Sequence, residues 1–265
     1  RVGVNLIESI GLNTFKAYPD VRFDYNLLSY SLIPYIRYSG NLQHYSMNTM
    51  LFENPYTSNY VYLRPTNYKM NIEFGAKGRL LRTIPFVAAC TISQFENMYF
   101  WVNDVVGTNG IQNSFIPVYD NGTRITLHGE TGIKRKNLDV QAVVDYHQYA
   151  LDSIQRAWHR PSIESKLLFK YAIVNPITNT NKMIVSSQFF YNDLLYAQTV
   201  DGKVHKMNSI FDVNLGIEYY YTSVLVFFVN VNNITANTYQ QYYLYPTQKT
   251  NFLVGLSYSF AGNHQ

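Results

Sequence analysis

Charge is scarce in this sequence. Asp, Glu, Lys and Arg together make up 14% of its 265 residues, where soluble proteins carry about 25%. A water-soluble globule of this size needs a denser charged surface. Long hydrophobic runs are missing too. A transmembrane helix needs about 18 or more consecutive apolar residues, and the longest greasy run here is Val224 to Val229. Helical membrane spans are thereby excluded. Cysteine is nearly absent: Cys90 stands alone, so no internal disulfide forms. The metal-binding spacings C-x-x-C, H-E-x-x-H and the calcium loop do not occur, nor does a glycine-rich phosphate loop. No metal and no cofactor is therefore expected. The net charge of +4 is mild and its cations are scattered. The cluster Lys134-Arg135-Lys136 reads as a solvated turn, so no nucleic-acid partner is expected.

Aromatic residues are abundant instead, at 16%, with 25 Tyr and 16 Phe. They sit in a period-two pattern. In the segment 251–260, Phe252, Val254, Leu256, Tyr258 and Phe260 fall on one side of an extended strand. Asn251, Leu253, Gly255, Ser257 and Ser259 fall on the other. The same alternation places Tyr68, Met70, Ile72, Phe74 and Ala76 opposite Lys69, Asn71, Glu73, Gly75 and Lys77. It recurs at Leu138 to His147 and at Phe211 to Tyr219. A charged face cannot be a packed core, and the apolar faces have no second layer in view. In lipid every backbone polar group must be paired inside the protein, so a closed barrel is the spanning solution left. One strand face then meets lipid and the other a wet interior.

The alternation predicts about twelve strands, near 2–9, 23–37, 41–53, 66–77, 80–93, 122–132, 137–150, 161–174, 181–191, 206–220, 223–233 and 249–260. Short links at 38–40, 78–79, 133–136, 175–180 and 221–222 alternate with long ones at 10–22, 54–65, 94–121, 151–160, 192–205 and 234–248. Outer-membrane barrels keep such a parity, with short periplasmic turns and long extracellular loops. The expected fold is a single antiparallel transmembrane β-barrel over 1–265 with both termini periplasmic. Pro34 and Pro85 fall inside proposed strands, where each removes a ladder hydrogen bond unless a bulge or bend absorbs it.

The C-terminal residues carry a resemblance. Val231-Asn232-Asn233-Ile234, then Tyr239, then Tyr245-Pro246, then Gly255-Leu256-Ser257-Tyr258-Ser259-Phe260 resemble the end of TonB-dependent outer-membrane receptors. The resemblance covers about thirty residues. It implies a Gram-negative outer-membrane barrel that transports a nutrient, with a TonB complex as its energy source and a plug domain. A complete receptor barrel has about 22 strands, and neither plug nor TonB-contacting box is found here. Thr247-Gln248-Lys249-Thr250 stand where the family has a P-G-R stretch, and Ala261 to Gln265 follow the terminal aromatic. The chain opens on Arg1 without a signal peptide. It reads as the C-terminal half of a receptor barrel, a small plugless relative, or one chain of a split assembly.

Two loops hold the candidate ligand contacts. Loop 94–121 contains Phe95, Met98, Tyr99, Phe100, Trp101, Val105, Val106, Ile111, Phe115, Ile116 and Tyr119; loop 234–248 contains Tyr239, Tyr242, Tyr243 and Tyr245. Exposed aromatic clusters mark binding surfaces. Tyr99, Phe100, Trp101, Tyr119, Tyr239, Tyr242, Tyr243 and Tyr245 are the expected contacts. The plainer reading is a loop that folds over the mouth and buries these rings on one another. The alternative function is a passive, porin-like pore or a structural partner in a larger outer-membrane assembly. Partners are then lipid and other outer-membrane or periplasmic proteins. Catalysis is not expected. A barrel hydrolase would use His128 or His147, placed near Glu130, Asp139 and Asp145, but no Ser lies in a nucleophile motif.

Overall fold

The structure is a computed structural model and describes residues 1–9, 14–27, 31–80, 83–105, 114–177, 180–199 and 201–260. Twelve strands form one sheet: β1 Val2–Ser9, β2 Thr14–Asp24, β3 Leu32–Gln43, β4 Thr66–Leu80, β5 Ile84–Asn103, β6 Phe115–Lys134, β7 Leu138–Leu151, β8 Ile163–Val174, β9 Asn181–Asn192, β12 Ile210–Tyr220, β13 Leu225–Asn232 and β16 Asn251–Tyr258. Between them, among the described residues, lie one helix, α1 Met47–Glu53, and two small hairpins. These are β10 Tyr196–Gln198 with β11 Val204–Lys206, and β14 Gln240–Tyr242 with β15 Tyr245–Pro246. Each large strand pairs antiparallel with its neighbour in the order given, and β1 and β16 are the two edges of the sheet. Among the described residues no helix is long and apolar enough to cross a membrane, which says nothing of strands.

The registers turn the period-two pattern into two surfaces. Residues directly opposite in an antiparallel pair share a face. One row runs Phe23, Ile36, Phe74, Cys90, Leu127, Tyr146, Ile163 across seven strands. Another runs Tyr171, Val185, Ile217, Val229, Val254 across the last five. These side chains touch no second layer: Phe74 and Leu127 are 48% exposed and Val254 is 71% exposed. A contiguous apolar surface of this extent fits hydrocarbon, not water.

The next row down the opposite face reads Asp24, Tyr35, Gly75, Ala89, His128, Asp145, Glu164, Asn192. It is polar, with small residues where neighbours need room. A Cβ at Gly75 would collide with the Tyr35 ring. The row beside it carries Arg22, Arg37 and Glu73. Arg37 clamps Asp20 with two bonds of 3.0 Å, and Arg22 holds Asp24 at 2.9 Å. The interior face is thus held together by ion pairs and hydrogen bonds along its length.

The strand count of twelve holds, and from β4 onward most boundaries agree with the sequence pattern. Residues 10–53 differ. The expected strand 23–37 holds the end of β2 and the start of β3, with 28–30 outside the described residues; the expected strand 41–53 is the end of β3 followed by α1. Tyr38-Ser39-Gly40 looks like a turn but is a bulge inside β3, where the register shifts between Ser39 and Asn41. Pro19 disguises β2, since a proline argues against a central strand; here it pairs with Val4 of the edge strand β1. Pro34 and Pro85 need no bulge, because they lie within the first three residues of β3 and β5. The helix is started by Ser46, whose Oγ accepts the Thr49 N–H at 3.2 Å. Loop 94–121 is mostly strand: β5 and β6 run through it, and Val106 and Ile111 lie outside the described residues.

The links at 25–31, 81–83, 135–137, 175–180 and 221–224 share one end of the sheet, together with both sheet termini. Those at 44–65, 104–114, 152–162, 193–209 and 233–250 share the other. Of the expected long link 10–22, residues 14–22 are strand and belong to β2, and residues 10–13 lie outside the described residues.

Candidate functional site

Strands β5 and β6 outgrow the sheet. Each is 20 residues long. Their outer neighbours stop early, β4 at the pair Asn67 with Glu96 and β7 at Leu151 with Gly122. Above that level β5 and β6 pair with each other and stand up as a ribbon on the long-loop side, tied at Phe115 by a parallel bridge to Thr57. A bulge between Phe95 and Met98 starts it. Asn97 takes the left-handed conformation there, at φ 55°. Its exposed backbone is satisfied: the Asn97 N–H bonds Asn121 Oδ1 at 3.0 Å, and its carbonyl accepts from Thr66 at 2.9 Å.

Alternation along this ribbon feeds two aromatic clusters. Tyr99, Trp101 and Phe115 point to one side, where they bury with Met50 of α1 and with Tyr242. Met98, Phe100 and Val102 point to the other, where they bury with Phe95 and Trp158. Trp101, Phe100 and Phe115 are at most 1% exposed. A third cluster, Leu195, Ala197, Met207 and Ile210, takes Tyr239 and Tyr243 against its edge. The ribbon and four separate links thus share one roof.

A carboxylate fastens the first cluster. Glu53, the last residue of α1, accepts hydrogen bonds from the Tyr99 hydroxyl and from Trp101 Nε1 at 3.0 Å. Arg160 approaches it at 3.2 Å and lies 5.0 Å over the Tyr99 ring. Tyr242 donates to the Glu53 carbonyl at 2.6 Å. Burial works against the Arg160 charge, but Glu53 and Tyr99 outweigh it and raise its pKa. About 30% of both side chains is still exposed, so the pair is screened rather than dry. Burial likewise pushes the Tyr45 hydroxyl up to about 12.

His159 fastens the links to one another. It is 9% exposed and takes φ 55°. Its Nδ1–H donates to the Trp101 carbonyl at 2.9 Å, and its Nε2 accepts the Tyr243 N–H at 3.2 Å. Both ring nitrogens are satisfied only by a neutral imidazole with the proton on Nδ1. Burial drops its pKa to about 4. Asp120 holds the 152–162 link by accepting from the N–H groups of Ser153 and Ile154, both at 2.9 Å. Asn233 closes the base of 233–250: its Nδ2 donates to the carbonyls of Asn237 at 2.8 Å and Gln248 at 3.0 Å. That gives the Val231-Asn232-Asn233 motif a mechanical role.

Of the eight aromatic residues expected as ligand contacts, Tyr99, Phe100, Trp101 and Tyr242 are buried in the clusters. Tyr119, Tyr239, Tyr243 and Tyr245 keep part of their surface exposed. Tyr245 stacks on Tyr56 at 3.5 Å, and Tyr119 bonds the backbone of 62–64. Glu53 and Arg160 carry no signal in the sequence, and neither does the fastening role of His159. Their partners lie 46 or more residues away in the chain, and no local motif marks them. The histidines set aside for a hydrolase lie lower in the interior. His128 bonds Asp145 at 2.7 Å with Glu130 at 3.8 Å, and the hydroxyl meeting His147 belongs to Thr126, not to a serine.

A cleft of about 350 Å³ opens below the roof, lined by His147, Tyr149, Gln155, Arg156, Arg160 and Tyr196. A larger groove of about 590 Å³ lies at the opposite rim, among the short turns, with Arg79, Lys134 and Arg135 beside Glu130 and Asp139.

No family model matches the sequence, and no curated protein matches it. Solved structures do match the fold. The ferripyoverdine receptor of the Pseudomonas aeruginosa outer membrane, bound to ferripyoverdine, superposes at a TM-score of 0.65 with 17% identity, over 92% of this chain and 33% of that one. The ferric-catecholate import receptor Fiu of Escherichia coli K12 gives 0.63 with 14% identity, over 92% and 35%. The copper transporter OprC gives 0.61 with 12% identity, over 93% and 40%. These neighbours are TonB-dependent receptors, and the chain shares their barrel fold. It spans between a third and two fifths of their length.

Proposed function

We propose that this chain forms part of an outer-membrane transport barrel that receives its ligand on the long-loop side. The long loops then face outward, and the short turns and both termini face the periplasm. The observation that carries this reading is the union of two surfaces on one sheet: an exposed apolar belt, and a rim roofed by packed rings. Belt and roof together describe a wall that stands in lipid and a mouth that is built rather than open. The part-exposed Tyr119, Tyr239, Tyr243 and Tyr245 make the contact layer, and Tyr99, Phe100, Trp101 and Tyr242 the layer that stiffens it. The chain acts as one barrel unit over 1–265, and TonB is its energy partner by resemblance. The neighbours' cargo supplies the probes. Cells carrying the intact gene or a deletion are offered radiolabelled ferripyoverdine, a ferric catecholate and copper(II). Uptake of one of them that disappears with the gene supports the reading. Unchanged uptake of all three, with the protein in a water-soluble fraction, removes it.

The edges of β1 and β16 pair with no other described strand. Unpaired backbone is costly in lipid, which supports a second reading: a structural partner, or a passive pore, completed by further strands. Liposome swelling separates the pore, which admits small sugars, from a filled transporter, which does not.

A further inference from the structure

The cleft below the roof has a lining of one sign. Its cations are Arg156 and Arg160, joined by the His147 imidazole, and no Asp or Glu lines it. The Arg156 guanidinium lies 5.1 Å over the Tyr196 ring. It is exposed, and among the described residues no ion pair is formed with it. Arg160 is already held by Glu53, and Glu164 lies within its field. Glu53 and Glu164 offset Arg160, so among the described residues the free cation of the cleft is Arg156, which suits one carboxylate better than a doubly charged phosphate. Tyr149 and Tyr196 offer ring faces, and a volume of about 350 Å³ lies at the small end of ligand pockets. The larger groove at the other rim makes a weaker case. Its cations stand among carboxylates, with Lys134 3.9 Å from Asp139.

We propose that this cleft binds a small aromatic carboxylate, its ring against Tyr149 and Tyr196 and its two oxygens forked by Arg156. A planar guanidinium matches a carboxylate edge with two parallel bonds, and stacking on a ring fixes its plane beforehand. Arg160 lines the cleft beside it and stays with Glu53. The proposal rests on the long-loop side being where ligand enters.

The test uses the whole gene product in detergent micelles, with equilibrium dialysis against radiolabelled benzoate and its neutral counterpart of the same shape, benzamide. The expected result is retention of benzoate over benzamide. Arg156→Gln weakens benzoate binding by about tenfold or more, while Arg156→Lys, which keeps charge but loses the fork, falls between. Tryptophan fluorescence unfolding of each variant matches the parent, because Arg156 is exposed. Equal retention of the two probes, or an unchanged affinity in Arg156→Gln, overturns the proposal. Lost benzoate selectivity with chelate uptake intact removes the cleft alone. Absent uptake with benzoate selectivity intact removes the transport reading alone.

Discussion

The wall and the roof of this molecule are held by opposite means. In the wall, the backbone ladder joins adjacent strands, with a few side-chain ties across one strand such as Tyr18 to Asn67 at 2.6 Å, and the outward side chains need only be apolar. Phe74, Leu127, Ile217 and Val229 are interchangeable in kind, since lipid has no shape to match. In the roof, the contacts cross long stretches of chain. Tyr242 reaches Glu53 over 189 residues, and His159 reaches Trp101 over 58 and Tyr243 over 84. Each side chain there has a particular partner. The wall tolerates substitution within a class, and the roof is sensitive to the identity of single residues.

The strongest way to break this contrast is to strike the roof alone. Trp101→Ala empties a fully enclosed site and removes a donor to Glu53, a loss of about 3–5 kcal/mol by analogy with buried Trp truncation. Limited proteolysis is expected to cut the long-loop links while the heat-modifiable gel band of the folded barrel persists. Simultaneous loss of both would mean that roof and wall unfold together. The converse strike is Leu215→Arg on the lipid face, mid-strand in β12. A charge at that depth costs about 2–4 kcal/mol, so the folded band is expected to weaken in urea titrations in bilayers, and Leu215→Ile is expected to leave it in place.

Acid sharpens the comparison without mutation. His159 is buried neutral, so its folded pKa of about 4 lies below the ordinary 6.5. Its contribution is present above 6.5 and is lost as pH falls toward 4. The loss amounts to about 3 kcal/mol at most. Once protonated, Nε2 can no longer accept the Tyr243 N–H. Protease sensitivity of the roof is expected to rise across that window, and His159→Gln to flatten the dependence. A profile unchanged in the variant would assign the pH effect elsewhere.

Smaller effects follow from single hydrogen bonds. Glu53→Gln keeps the shape but loses the charge that Arg160 faces; with both groups about one third exposed, the expected loss is about 1–2 kcal/mol. Asn233→Ala removes two side-chain donations at the base of 233–250 and is expected to cost about 1–3 kcal/mol. It should loosen that link in hydrogen exchange while β13 and β16 stay protected. Loss of protection in those strands would make Asn233 part of the wall.

Much of the wall was legible because its pattern is local. Leu138 to His147 alternates with Val143 as its one break and forms β7 as expected, and Phe211 to Tyr219 alternates throughout and forms β12. Reading failed where alternation is interrupted from within. The bulge at Ser39 to Asn41 carries turn-like residues, and Pro19 sits in a strand that has only an edge neighbour at that level. The aromatic loops were noticed, but their division into a buried layer and an exposed layer was not visible. That division depends on how far β5 and β6 outrun β4 and β7. The roles of Glu53, His159 and Arg160 are not legible in the sequence, because a lone carboxylate, imidazole or guanidinium takes its meaning from partners that the chain brings together only on folding.

The order of side chains alone fixed which faces are oily, which are wet, and that the molecule is a sheet of long antiparallel strands. Period-two alternation makes that choice within each strand, before any partner is met. Tertiary structure decided the mouth: which rings face water, which carboxylate is clamped, and where two arginines share a cleft. Those outcomes rest on contacts between links tens of residues apart, whose geometry exists only once the strands between them are in register.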